Sequence, residues 1–170
     1  NTEHVLHNTK NACEVGADAI LVVTPYYNKA TQKGLITHFT TIADASTVPV
    51  ILYNVPGRTG CALQPKTVAK LAEHPNIVGL KDSERDLERM EQCIAVAKSR
   101  EDFTYFCGWA AQSAHSLELG ADGIVPSTGN FVPKHFQALY EAAVAGDMAE
   151  ANRLQELTDR MAKVYQAGRP

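Results

Sequence analysis

Five short apolar runs alternate along the chain with segments of mixed polarity. Each run is continuous rather than alternating, and most are rich in β-branched residues. Such runs are typical of parallel strands that helices cover on both faces. We therefore predict five buried parallel strands, at Ala19–Thr24, Val48–Asn54, Ile77–Lys81, Phe103–Cys107 and Gly123–Pro126.

The segments between these runs show helical periodicity. Leu35, Phe39 and Ile42, for example, recur on one face of a helix. Proline suits a first turn, acidic and hydroxyl side chains cap N-termini, and glycine ends helices, so most of these segments have clear limits. The start signals are Pro65, Ser83 with Asp86 as a near capping box, Pro133 and Asp147, and the end signals are Gly16, Gly120 and Gly146.

The alternation of strands and helices predicts a parallel α/β fold. Two architectures have this order, a doubly wound sheet and a (β/α)8 barrel. A barrel typically takes about 250 residues, so length alone favours the doubly wound sheet for a chain of 170 residues. No G-x-G-x-x-G or P-loop pattern follows the first run, so nucleotide binding by these routes is not predicted.

Composition narrows the class of protein further. Apolar residues make up 45% and charged residues 21%, which excludes a disordered chain and a disulfide scaffold. The net charge of −3 gives no basic surface for nucleic acid, and no apolar run is long enough to span a membrane. The cysteines lack C-x-x-C spacing and the histidines lack ligand spacing, so we predict a reducing, cytoplasmic compartment and no metal site.

Polar side chains close several of the runs, at the strand ends where parallel α/β proteins place their chemistry. Lys81 ends the third run, where a desolvated amine attacks carbonyls; alternatively, it reaches solvent or pairs with Asp82. Tyr53 ends the second run and offers a phenol for proton transfer, or packs only. Arg58 follows in a loop, where a guanidinium binds a carboxylate or stays solvated.

Three other runs lead into distinctive segments. Tyr26 and Tyr27 form an exposed aromatic loop after the first run, which is typical of a subunit contact. Gly108 follows the fourth run and permits a ligand to approach the backbone closely. The fifth run leads through Val125 into the donor-rich stretch 126–130, which either binds an anion or forms a local turn, and the composition favours the turn.

Three motifs occur in a fixed order: VTPYYNK at 23–29, ILYNVPGRTG at 51–60 and IVGLKDS at 77–83. Together they closely resemble the dihydrodipicolinate synthase/N-acetylneuraminate lyase family. The resemblance implies a class I pyruvate-handling lyase on a (β/α)8 barrel, and this replaces the doubly wound sheet. The chain would cover strands four to eight, with residues 1–146 as a partial barrel and 147–170 as the start of a C-terminal helical extension.

The resemblance also implies roles for single residues. Lys81 would form the imine with pyruvate, and Tyr53 would be the adjacent phenol that moves protons. Tyr27 would complete a proton relay in a neighbouring subunit, and Arg58 would hold the carboxylate of the aldehyde partner. The implied partners are pyruvate, a small aldehyde and further copies of the chain in a homodimer or homotetramer, and no cofactor is implied.

Gly108 and Val125 fall where the family lines its pyruvate pocket with backbone groups. Arg58 resembles the synthase branch, which condenses pyruvate with aspartate semialdehyde. Trp109 stands where synthases commonly carry an acidic residue, and the stretch 126–130 is closer to the neuraminate and 2-keto-3-deoxy sugar acid aldolases. A synthase is therefore expected, with an aldolase as the alternative.

One family element is absent from the sequence. The Gly-Thr-Thr-Gly-like turn that binds the pyruvate carboxylate does not occur, and the chain begins with Asn1 rather than methionine. We expect either a piece of a longer enzyme or a chain that a partner completes, because five open strands leave two unpaired edges. The third hypothesis on function is that the chain is an inactive fragment.

Overall fold

The structure, a computed structural model, describes residues 1–167 of the chain and the side chains of residues 1–163. It divides into two compact units, one of Asn1–Tyr105 and one that begins at Phe106. The first unit contains the helices α1 (Thr2–Glu14), α2 (Gln32–Ala45), α3 (Pro56–Thr59), α4 (Pro65–Ala72) and α5 (Leu87–Lys98), and the strands β1 (Ile20–Val23), β2 (Val50–Asn54) and β3 (Ile77–Asp82).

Strand β4 (Thr104–Cys107) begins in the first unit and ends in the second. The second unit also contains α6 (Ser113–Glu118), β5 (Gly123–Ile124), α7 (Pro133–Val144) and α8 (Met148–Ala167), with short 3-10 turns at Ala110–Gln112 and Ser127–Asn130. All five predicted strands are therefore confirmed, and the strand order is β1-β2-β3-β4-β5.

The strands pair in parallel, and β1 is in continuous register with β2. Between β2 and β3 the register shifts after Val50, so that Ile51 pairs with Gly79 and Val78 is an extra residue in β3. Strand β4 starts beside β3, where Thr104 Oγ1 donates a hydrogen bond of 3.2 Å to the Val78 carbonyl. A side chain at Gly79 would lie only 2.7 Å from Thr104 Oγ1, so glycine permits this close approach of strands.

The two faces of the strands are not equally buried, which differs from the sequence expectation. Ile20 and Val22 are buried, whereas Leu21 between them is 50% exposed. Successive strand residues point to opposite faces, so one face of β1 is covered and the other is open. A continuous apolar run does not distinguish these cases, because barrel strands carry apolar side chains on their inner face as well.

Helix α2 buries the apolar face that its periodicity predicts. Leu35, Phe39 and Ile42 are fully buried, and α2 contacts both α1 and α4. Each such side chain contributes about 2 kcal/mol of transfer free energy when removed from water. The helix begins at the capping residue Thr31, whose side chain accepts a hydrogen bond from the Gly34 N–H.

Arg100, just after α5, binds the segment that leads into β3. Asp102 accepts hydrogen bonds from the same guanidinium, and these lower the pKa of the Asp102 carboxyl. The guanidinium therefore fixes the connection between α4 and the third strand. Its two terminal nitrogens donate to four backbone carbonyls, those of Ala72 (2.6 Å), His74 (2.8 Å), Ile77 (3.0 Å) and Pro75 (3.1 Å).

Two sequence-based expectations in the first unit are wrong. Helix α5 is capped by Asp86, whose side chain accepts from the Arg89 N–H, and not by Ser83. The Ser83 N–H donates to the Asn54 carbonyl at 2.9 Å, so the chain is still extended there. The residue Arg58, expected in a loop, lies in the single helical turn α3, which ends at a left-handed glycine.

The second unit has its own apolar core. It consists of five buried residues, Ala114, Phe136, Leu139, Ala151 and Leu154. Gln155 of α8 joins α6 to this core, because its Oε1 accepts from Ala114 N and its Nε2 donates to Ala110 O, both at 2.9 Å. The predicted helix limits Pro133, Asp147, Gly120 and Gly146 are all confirmed.

The four cysteines form no disulfide in the described part of the chain. No helix within residues 1–167 is both long enough and apolar enough to cross a membrane. The division into residues 1–146 and 147–170 stays a prediction, and positions 168–170 lie outside the described residues.

Candidate active site

The ends of β2 and β3 bring two of the predicted residues together. Tyr53 pairs directly with Lys81 in the sheet register, and paired residues of parallel strands point to the same face. The Lys81 Nζ lies 4.2 Å from the centroid of the Tyr53 ring. This is a cation–π distance, and both side chains are half-buried.

The Lys81 amine contacts the Tyr53 ring and has no competing partner in the part of the chain that the structure describes. Among the described residues, its Nζ makes no hydrogen bond or ion pair. The alternative in which Lys81 pairs with Asp82 is therefore wrong, because Asp82 points to the opposite face and binds other groups. An amine held against an aromatic ring, without a competing carboxylate, is available to a carbonyl compound.

Behind this pair lies a buried polar network that the sequence did not reveal. Asn54 is fully buried and Asp82 is 1% exposed. Asn54 Nδ2 donates to Asp82 Oδ1 at 2.7 Å, while Asn54 Oδ1 accepts from the Leu63 N–H at 2.9 Å. The other Asp82 oxygen accepts from Arg89 Nε at 3.0 Å. The only signal in the sequence was a polar residue at or just after the end of these two apolar runs.

The network lies in a dry part of the unit. Burial raises the pKa of the Cys93 thiol to about 12, with Arg89 acting in the opposite direction and Asp82 adding to the rise. Cys93 is fully buried on α5, next to the helix turn that carries Arg89. The ion pair between Arg89 and Asp82 is thus largely shielded from water.

Arg58 lies on the exposed side of α3. Its guanidinium makes no hydrogen bond or ion pair among the residues that the structure describes. The helical turn beneath it is held by hydroxyl groups, since Thr24 Oγ1 donates to Thr59 Oγ1 at 3.2 Å and Thr59 Oγ1 donates to the Cys61 carbonyl at 2.9 Å. An exposed guanidinium on a fixed turn can bind an incoming carboxylate.

The segment after Arg58 is fastened by Gln32, the first residue of α2. Gln32 Nε2 donates to the Ala62 carbonyl at 2.8 Å. Its Oε1 accepts from Gln64 N at 3.0 Å and from Thr67 Oγ1 at 2.6 Å. One side-chain amide therefore ties the loop between α3 and α4 to the start of α2.

Tyr27 lies in the segment between β1 and α2, where its side chain is exposed. Its side chain is 94% exposed and that of Tyr26 is 70% exposed. The predicted exposed aromatic loop is therefore confirmed. The relay role of Tyr27 in a neighbouring subunit stays a prediction.

Gly108 and Val125 belong to the second unit. Val125 is 44% exposed, and its N–H donates to the Cys107 carbonyl at 2.8 Å. The donor-rich stretch forms the 3-10 turn Ser127–Asn130, in which Asn130 Nδ2 donates to the Ser127 carbonyl, so the turn interpretation fits. The part that Gly108 and Val125 take in a pyruvate pocket stays a prediction.

A cleft of about 490 Å³ opens in the second unit between β5 and α7. Its walls are mainly apolar and include Phe106, Ile124 and Phe136, with Asp122 among the polar residues. It was not predicted, and it contains none of the lysine or tyrosine residues of the first unit. No group of three or more metal-binding side chains occurs within the described residues.

The parallel strand–helix units define an α/β protein. The lysine and the tyrosine at neighbouring strand ends form its candidate imine-forming site. The dihydrodipicolinate synthetase family model matches residues 1–169, and the chain belongs to that family. The predicted family is thus confirmed.

Similar proteins agree with this assignment. A 4-hydroxy-tetrahydrodipicolinate synthase of Exiguobacterium sp. (strain AT1b) is 49% identical over 155 residues, which are 91% of this chain and 52% of the relative. The crystal structure of a dihydrodipicolinate synthase from Thermotoga maritima superimposes with a TM-score of 0.92 at 32% identity, covering 96% of this chain and 56% of that one.

A prophage protein of the dihydrodipicolinic acid synthase family from E. coli K12, solved in complex with pyruvate, has a TM-score of 0.92 at 34% identity, covering 98% of this chain and 56% of that chain. These matches confirm the barrel-type α/β fold over the doubly wound sheet. The chain spans about half the length of the curated relatives it matches.

Proposed function

We propose that this chain carries the imine-forming site of a 4-hydroxy-tetrahydrodipicolinate synthase, a class I pyruvate-dependent lyase of lysine biosynthesis. The observation that carries the proposal is the Lys81 amine 4.2 Å from the Tyr53 ring, on paired strand ends. The names of the relatives support the synthase activity. The pyruvate complex of the E. coli K12 relative supports the keto acid.

The chemistry begins when the lone pair of Lys81 Nζ attacks C2 of pyruvate. A C–N bond forms, and the carbonyl oxygen takes up protons and leaves as water, which gives the imine. Loss of a C3 proton gives an enamine, whose C3 bonds to the aldehyde carbon while the aldehyde oxygen takes a proton. We assign the movement of these protons to the phenol of Tyr53, and the contact of its ring with the Lys81 amine supports this role. Water or the amine of the aldehyde partner then displaces Lys81.

Arg58 supports aspartate semialdehyde as that partner. Its exposed guanidinium is free of other partners among the described residues, and a carboxylate-bearing aldehyde needs such a cation. The exposed Tyr27 supports assembly with further copies of the chain, as a homodimer or homotetramer, because an aromatic side chain that is 94% exposed is typical of a surface that a partner covers.

Borohydride trapping tests the imine. The 170-residue chain is incubated with pyruvate and borohydride, digested, and mapped by mass spectrometry. We expect Lys81 to gain the mass of pyruvate less water plus two hydrogens, and Lys81→Arg to gain none. An adduct on Lys66 or Lys134 instead, or no adduct, would reject the proposal for this chain and favour an inactive fragment.

A sugar acid aldolase is the second candidate, supported by Trp109 and the 3-10 turn Ser127–Asn130. The comparison is between turnover of aspartate semialdehyde and of 2-keto-3-deoxy sugar acids. We expect Arg58→Leu to reduce condensation with aspartate semialdehyde selectively. Equal turnover of that aldehyde by the parent and the Arg58→Leu variant would instead favour the aldolase.

A further inference from the structure

The hydrogen bond between Asn54 and Asp82 joins the two strands one residue beyond the Tyr53–Lys81 pair. The register places Asn54 opposite Asp82, and the bond between their side chains measures 2.7 Å. It lies on the face opposite to Tyr53 and Lys81, since successive residues alternate. The network therefore lies behind the pair, on the other face of the two strands.

Asp82 is the central member of this network. Its carboxylate is 1% exposed, and it accepts from Asn54 Nδ2, the Glu84 N–H and Arg89 Nε. A buried carboxylate is costly unless several donors compensate it. The Asn54 amide is the one of these three donors that comes from β2, so its hydrogen bond to Asp82 depends on the register between β2 and β3.

That register decides which face Lys81 occupies. The shift after Val50 is what brings Tyr53 opposite Lys81. Without it, Tyr53 would pair with Leu80 and Lys81 would turn toward the covered face, because a slip of one residue moves every side chain to the other face. The same slip would take Asp82 beyond the end of β2 and away from the Asn54 amide.

We propose that Asn54 and Asp82 are positioning residues, which hold β3 in the register that presents the Lys81 amine to the Tyr53 ring. Arg89 of α5 forms an ion pair with Asp82 and so compensates the buried charge of its carboxylate. The link to catalysis rests on the proposed function, whereas the link to Lys81 placement rests on the fold alone. Nothing in the network needs to touch pyruvate or the aldehyde.

The position of the Lys81 side chain relative to the Tyr53 ring is measured by NMR, without substrate. Because the Lys81 Nζ lies 4.2 Å from the centroid of the Tyr53 ring, we expect the ring current to shift the Lys81 side-chain methylene signals upfield. Lys81→Arg and Tyr53→Leu identify the shifted signals. We expect Asn54→Ala to abolish the upfield shift and to slow borohydride trapping of pyruvate by about tenfold or more, since small misplacements of a reacting group are costly. If Asn54→Ala does not fold, Asn54→Ser replaces it, because its hydroxyl is too short to reach Asp82.

Asn76 provides the matched control. Its half-buried amide also makes several hydrogen bonds, to the carbonyls of Ala43, Ser46 and Val48 at 2.9, 2.9 and 3.2 Å, but at the other end of β3 from Lys81. Asn76→Ala should lower stability and leave the ring-current shift in place. An unchanged shift in the folded Asn54 variant, or an equal loss in the Asn76 variant, overturns the positioning role. A parent chain that shows the shift but forms no adduct rejects the proposed function and leaves the positioning role to be judged by the NMR signal alone.

Discussion

Replacement of Arg100 by methionine is expected to destabilise the chain far more than the loss of a surface charge. Methionine keeps much of the aliphatic length but removes the guanidinium that donates to four carbonyls, those of Ala72, His74, Pro75 and Ile77. At about 1 kcal/mol for each carbonyl–guanidinium bond, the free energy of unfolding falls by about 4 kcal/mol. For a chain of this size that corresponds to a decrease in Tm of roughly 8–16 °C.

The measurement is urea unfolding followed by circular dichroism, with Lys66→Met as the control. Lys66 is exposed on α4, and the same substitution there should change the free energy of unfolding by less than about 0.5 kcal/mol. Asp102→Asn separates the ion pair from the carbonyl contacts and should have a much smaller effect, because that carboxylate is largely exposed. If Arg100→Met is no more destabilising than Lys66→Met, the carbonyl contacts do not stabilise the fold.

Two further predictions concern tight packing and pH. Gly79→Ala places a methyl group 2.7 Å from Thr104 Oγ1 and 3.0 Å from the Thr104 carbonyl oxygen. We therefore expect the free energy of unfolding, measured in urea, to fall by about 1–3 kcal/mol. Gly57→Ala is the control and should lower it less, because the added carbon there has no neighbour within 4 Å. Burial lowers the pKa of His38, so the unfolded chain binds more protons than the folded chain in mild acid. The free energy of unfolding should therefore fall as the pH drops below about 6.5. His38→Gln should flatten this part of the pH profile, and a parent profile as flat as that of the variant would contradict the assignment.

The strands and most helices could be predicted because burial imposes a pattern on the sequence. Helix α2 repeats its apolar residues every turn, and Pro65 marks the start of α4. Helix α3 could not be predicted, since four residues are too few to show a period. The cap of α5 was misplaced because Ser83 and Asp86 are both capping residues, and only the hydrogen bond from Ser83 to Asn54 shows that the strand continues.

The candidate site was predictable only in part. The strand ends singled out Lys81 and Tyr53, and the family resemblance implied that they are adjacent, but their direct pairing depends on the register shift after Val50. No sequence pattern reports such a shift. Asn54 and Arg89 were missed for a related reason, because their partners come from other elements and only tertiary structure brings them together.

The hydrogen bonds of the Gln32 side chain have a consequence for the affinity of a ligand that binds Arg58. The loop between α3 and α4 is already immobilised by the hydrogen bonds of Gln32 to Ala62, Gln64 and Thr67. A carboxylate that binds Arg58 would then order only the Arg58 side chain, at an entropic cost of about 2 kcal/mol. If the loop were mobile, binding would have to order its backbone as well. Preorganisation of this kind favours tight capture of a small anion even when the contact itself is modest.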